Sequence, residues 1–193
     1  MSNVKGYTNK QLLRQVKKAN NYAGIPKGYW ILGVKSTEDE YNIFDDKFYL
    51  FHGTKFVMVS TGTVNPGGTV LKNYSKYNNK GALIVKSDEW YYDLWAPGMH
   101  NGRMKALKQV EPILYYRDGN KNNKSEEIGI VYSGIRGINF HTASYDYKVG
   151  FIRKLIGGWS AGCQVVASVS KYYKMLKLVW GQPRTTFVLI KEF

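Results

Sequence analysis

Apolar and polar positions fall along this chain in short runs, separated by glycine, proline and asparagine. Residues 29–35, 47–52, 55–60, 81–86, 112–117, 128–132, 137–141 and 185–191 are of strand length, with alternating or β-rich composition. Gly53-Thr54 between the second and third runs predicts a hairpin. Two segments carry a helical period instead. Thr8-Asn9-Lys10-Gln11 fits a capping box, with Thr8 as N-cap and a helix to about Ala19. Residues 165–179 repeat their apolar positions through Val169, Tyr172, Tyr173 and Leu176, before Gly181 and Pro183 stop them.

Between these runs, residues 36–46 read as a polar loop, 61–69 as a turn cluster beside a site or in a long hairpin, and 96–104 as a loop. His100 in that last loop reads as a surface residue. The aromatic run Trp90, Tyr91, Tyr92 and Trp95 reads as core in preference to a groove wall. Residues 118–129 resemble a calcium loop in composition. Asn123 stands where the sixth-position glycine belongs and Gly129 where the twelfth-position glutamate belongs, so a polar surface turn is expected. The sum predicts a mainly β assembly, sandwich or barrel, with a few peripheral helices.

Composition adds bounds. A chain of 193 residues with 44% apolar side chains can bury a real core, and disorder is not expected. Formal net charge is +14, a field that draws polyanions such as nucleic acid, acidic envelope polymers or anionic lipid. The denser basic clusters, Lys10, Arg14, Lys17 and Lys18 and then Lys171, Lys174 and Lys177, lie on the two expected helices and read as solvated faces. No nucleic-acid recognition motif is present, so nucleic acid is not the expected partner. Residues 1–10 are mostly polar, which predicts no signal peptide and no membrane span. A single cysteine excludes an internal disulfide framework and a cysteine-rich zinc site. No cofactor and no metal are called for.

That cysteine carries the candidate chemistry. Cys163 follows Gly157, Gly158, Ser160, Ala161 and Gly162, small residues that would let another molecule's carbonyl approach, and His141 ends an expected strand upstream. A thiol with an imidazole to take its proton is a nucleophile and base, and the Gly162 and Cys163 amides are candidate oxyanion donors. The competing reading is a buried core cysteine. A sulfur-to-ring distance of about 3–5 Å, in an accessible pocket, separates the two.

The order of these pieces resembles the L,D-transpeptidase (YkuD-type) family. The matching pieces are the early hairpin, the Ser60-Thr61-Gly62-Thr63-Val64-Asn65-Pro66-Gly67 turn, a strand ending at His141, Ser160-Ala161-Gly162-Cys163, and Trp180-Gly181-Gln182-Pro183 before a closing strand. The family's motif has a second histidine where Ala161 stands. The resemblance implies an L,D-transpeptidase-like β fold over residues 29–193, with residues 1–28 as an N-terminal helical arm. It implies Cys163 as nucleophile, His141 as base, Gly162 with Cys163 as oxyanion amides and Ser160 as an orienting residue. The implied activity is cleavage or cross-linking of peptidoglycan stem peptides through a thioester. The Ser-Ala-Gly-Cys-Gln variant is similar to tailed-phage members, which implies a virion protein, or one made in the host cytoplasm and released by lysis. The alternative is a virion tail or connector protein on the same fold, with other virion proteins as partners.

Overall fold

The structure, a computed structural model, describes residues 6–148 and 150–193; the start of the N-terminal arm, residues 1–5, lies outside them. The chain is mainly β. Eight strands close a barrel: β1 (Tyr29–Lys35), β2 (Asp46–His52), β3 (Lys55–Thr63), β5 (Glu89–His100), β6 (Met104–Gln109), β9 (Phe140–Thr142), β10 (Gln164–Val166) and β11 (Thr185–Lys191). Their order around it is β1-β11-β5-β6-β9-β10-β3-β2. A side sheet runs β4-β7-β8, from β4 (Ala82–Val85), β7 (Ile113–Asp118) and β8 (Tyr132–Gly134). The helices are α1 (Asn9–Val16), α2 (Gly68–Lys72) and α3 (Val169–Val179). No helix among the described residues is long and apolar enough to cross a membrane.

Period-two alternation divides the strands between two packed faces. Ile31, Phe48, Leu50, Trp95, Phe140, Val166, Phe187 and Leu189 fill one cluster. Trp30, Leu32, Tyr49, Phe51, Val188 and Ile190 pack on the other side of β1, β2 and β11, where Leu12 and Val16 of α1 cover them. Both halves of the expected capping box at Thr8 and Gln11 are formed. In α3, Val169, Tyr172, Met175, Leu176 and Val179 are buried and Lys171, Lys174 and Lys177 exposed, the amphipathic division expected. The aromatic run is core, as expected: Trp90, Tyr91 and Trp95 are buried, and the Trp95 Nε1–H donates to Ile138 O at 2.8 Å.

Four local expectations are corrected. Residues 96–104 are not a loop: β5 runs on to His100 and turns tightly into β6. Pro97 is tolerated there because β5 pairs with β11 only as far as Trp95; beyond it β6 is the one ladder partner, so one edge is free of hydrogen-bond demand. Val165 and Val166 belong to strand β10, and α3 starts only after its N-cap Ser168, whose hydroxyl accepts from Lys171 N. Of residues 128–132 only Tyr132 enters a strand, and Ile128, Ile130 and Val131 are exposed. Gly137 leaves the expected strand through a left-handed φ of 72°, so β9 begins at Phe140.

The polar run after β7 is a chain of side-chain turns. Asp118, Asn120 and Asn122 each accept from the backbone N–H two residues on, and Glu126 accepts from both asparagine side chains.

Candidate active site

Parallel pairing sets the site. β9 and β10 run side by side, with Phe140 opposite Gln164 and His141 opposite Val165. Residues opposite each other in a parallel ladder share a face, as do residues two apart, so Cys163, Val165 and His141 face the same way. Phe140 and Val166 take the opposite face, into the larger core cluster. Cys163 and Val165 instead join a small cluster with Phe44, Ala143, Ile156 and Ala167, against which Trp159 packs. The structure therefore brings together the cysteine and histidine that the sequence singles out.

It also adds a residue that sequence reasoning missed. His100, at the end of β5, stacks on His141 with ring centroids 4.0 Å apart. Cys163 Sγ and one ring nitrogen from each histidine lie within 4.8 Å of one another. The only signal for His100 in the sequence is the rarity of histidine, since its neighbours Pro97 and Gly98 mark a turn by composition.

The tautomer of His141 follows from its partners. Its Nδ1 lies 2.9 Å from Thr142 O, and a carbonyl can only accept, so Nδ1 carries the proton. Nε2 is then a bare lone pair; it is buried and has no hydrogen-bond partner. Burial, and secondarily the neighbouring His100, hold the His141 imidazole down to about 3. Burial also lowers His100. The Cys163 thiol is pushed up to about 11 by burial, with a backbone hydrogen bond from Asn139 opposing. At neutral pH the pair is therefore a neutral thiol beside a neutral imidazole, not a thiolate–imidazolium pair. Burial therefore disfavours a preformed thiolate–imidazolium pair in this state.

The Ser160 hydroxyl donates to Cys163 O at 2.9 Å and accepts from Gly162 N at 3.1 Å. It thus holds the turn that leads into Cys163. The same contact corrects one expectation: the Gly162 N–H is committed to Ser160 Oγ and does not point to an oxyanion in this state. Gly162 sits at φ 118°, where a side chain is strained, and a Cβ there would stand 3.0 Å from Leu83. Of the expected turn cluster at 61–69, Thr61–Thr63 extend β3 and Gly68 starts α2, which leaves residues 64–67 as the turn; Gly67 N donates to Ser160 O at 2.9 Å beside the site.

Accessibility is the second correction. Cys163 keeps 8% of its surface and His141 none, so the thiol lies under a cover instead of in an open pocket. Trp159 forms part of that cover, with Tyr145 tilted against it at 5.1 Å and the Arg153 guanidinium 5.7 Å from its ring. Next to His100 the surface opens into a cleft of about 310 Å³ lined by Met99, Arg103, Met104, Lys105, Tyr145, Tyr147 and Tyr173. Lys105 and Tyr173 continue into a second, mostly apolar cleft with Leu176, Lys177 and Trp180. No family model, no curated protein and no solved structure matches this chain.

Proposed function

We propose that this protein is a cysteine-dependent hydrolase or L,D-transpeptidase acting on peptidoglycan stem peptides.

 The observation that carries the proposal is a buried His141 ring with one nitrogen within 4.8 Å of Cys163 Sγ, its Nε2 unpartnered and its Nδ1–H anchored on Thr142 O. In the reaction, Cys163 Sγ bonds to the amide carbonyl carbon as its proton passes to His141 Nε2. The C–N bond then breaks, and the same proton leaves on the departing amine, giving a thioester. Water returns a carboxylate and completes cleavage; an amine instead makes a new amide and a cross-link. Ser160 keeps the sulfur in line by holding both ends of its turn. Arg103, Lys105 and the tyrosines of the neighbouring cleft offer cationic and aromatic contacts to an acidic wall polymer, in keeping with the net charge of +14. A virion component, or a protein released by lysis, would meet that substrate directly. Digestion of purified peptidoglycan tests the reading: the wild type releases soluble peptide products and Cys163→Ala does not. Equal release by both proteins contradicts it.

One observation favours the second reading, a virion tail or connector protein. The thiol is covered and its ionisation suppressed, as a structural cysteine's would be. On that reading the exposed Ile128, Ile130, Val131 and Ile135 would face neighbouring subunits. Detection of the chain in purified particles by mass spectrometry, together with no peptide release from peptidoglycan by the wild type, supports it over the enzyme.

A further inference from the structure

We propose that His100, His141 and Cys163 form a binding site for a soft divalent cation of the zinc class, and that the ion, when bound, masks the thiol. The proposal uses the same side chains as the nucleophile reading but does not require that Cys163 attack anything. Three observations converge. The donors are two imidazoles and one sulfur, with no carboxylate in the set, which selects zinc-like ions over calcium or magnesium. Their ligand atoms already lie within 4.8 Å of one another. The His141 Nε2 lone pair is buried with no partner, which is an open demand that a cation satisfies.

The geometry needs a modest contraction. Bonds of about 2.0 Å to nitrogen and about 2.3 Å to sulfur in a tetrahedron place ligand atoms about 3.5 Å apart. His100 is the side chain able to close that gap. It is only half-buried at the tip of the β5–β6 hairpin; the Asn101 amide lies 3.1 Å from its Nε2 and the Asn139 amide 3.1 Å from its Nδ1, so binding exchanges one of these contacts for the metal. His141 is fixed, and its hydrogen bond from Nδ1 to Thr142 O is the outer contact that orients a metal-binding imidazole through its other nitrogen. Binding exchanges the thiol proton for the metal: Sγ–H loses its proton to solvent and the sulfur bonds the cation, with no change in oxidation state. Three protein ligands leave a fourth position for water.

Cobalt(II) titrated into the reduced full-length protein is the test, because it reports its ligands by colour. The expected result is saturable one-to-one binding, with a sulfur-to-cobalt band in the near ultraviolet and intense visible bands of a four-coordinate ion. Zinc should displace cobalt and erase both. Cys163→Ser should lose the near-ultraviolet band. His100→Gln, at a half-buried position, should weaken cobalt binding by at least tenfold, with circular dichroism and the melting temperature confirming that it folds. No sulfur band at millimolar cobalt overturns the proposal. So does a band whose affinity is unchanged in His100→Gln, since it would report an adventitious thiol ligand only. Neither outcome touches the peptidoglycan assay, which is run with chelator present.

Discussion

His100 and His141 lie face to face, their rings inclined by only 22° with centroids 4.0 Å apart. A proton added to either ring places its charge against the other, and both rings already titrate low because they are buried. Burial first, and the stacked neighbour second, therefore keep the His141 imidazole neutral.

Nitrogen NMR of the histidines checks this directly. His141 should remain a neutral Nδ1–H tautomer from pH 8 down to about pH 4, its pKa being held near 3. In His100→Gln the His141 pKa should rise, because one repulsive neighbour is gone, yet stay below the ordinary 6.5, because burial is the larger cause. The linkage has a definite sign. The unfolded chain binds the proton between pH 6.5 and 3 while the folded chain does not, so this group's contribution is lost as pH falls through that window.

Thiol reactivity should follow the raised Cys163 pKa. In the protein without substrate, the iodoacetamide rate should climb through pH 9 and towards 11, with no plateau near neutrality of the kind an ion-paired thiolate gives. Trp159→Ala, which removes the ring packed against the small cluster that holds Cys163, should raise the rate at every pH. Folding stability should also fall between pH 9 and 11 as the unfolded thiol ionises first. Cys163→Ala should remove that fall, about 3 kcal/mol at most.

Gly67 couples the turn at residues 64–67 to the loop before the cysteine. A Cβ there would meet Gly157 O at 2.1 Å and Ile156 Cγ2 at 2.7 Å, so one backbone must move. Gly67→Ala should cost about 1–3 kcal/mol and lower peptidoglycan release more than thermal stability alone explains, because the displaced loop carries Ser160. Thermal unfolding beside the digestion assay reads both effects.

Trp95 ties the barrel interior to the approach of β9 through its bond to Ile138 O. Trp95→Phe removes the donor and leaves a smaller ring in a fully buried site. The expected loss is about 2 kcal/mol, seen as a melting temperature lower by roughly 4–8 °C.

Much of this was legible in the sequence, for physical reasons. Thr8 and Gln11 announce a helix start because a capping box is local. The strands β1, β2, β3, β7 and β11 announce themselves by composition and by the Gly53-Thr54 turn. Cys163 and His141 stand out because reactive residues are scarce here. What stayed hidden depends on long-range pairing. Pro97 and Gly98 look like a loop until β6 is seen to be the sole partner of that stretch of β5, and with the loop went His100. Val165 and Val166 fit a helical period as well as a strand, and only pairing with His141 and Thr142 decides. The burial of Cys163 comes from Phe44 and Ile156, distant residues whose meeting no local pattern encodes.

The most direct measurement is intact-protein and peptide mass spectrometry after mixing the protein with a purified disaccharide-peptide and quenching in acid within seconds. A thioester adduct on the peptide containing Cys163, absent from Cys163→Ala and strongly reduced in His141→Gln, is the predicted result. An unmodified Cys163 throughout, in protein that still releases peptide products, would contradict it.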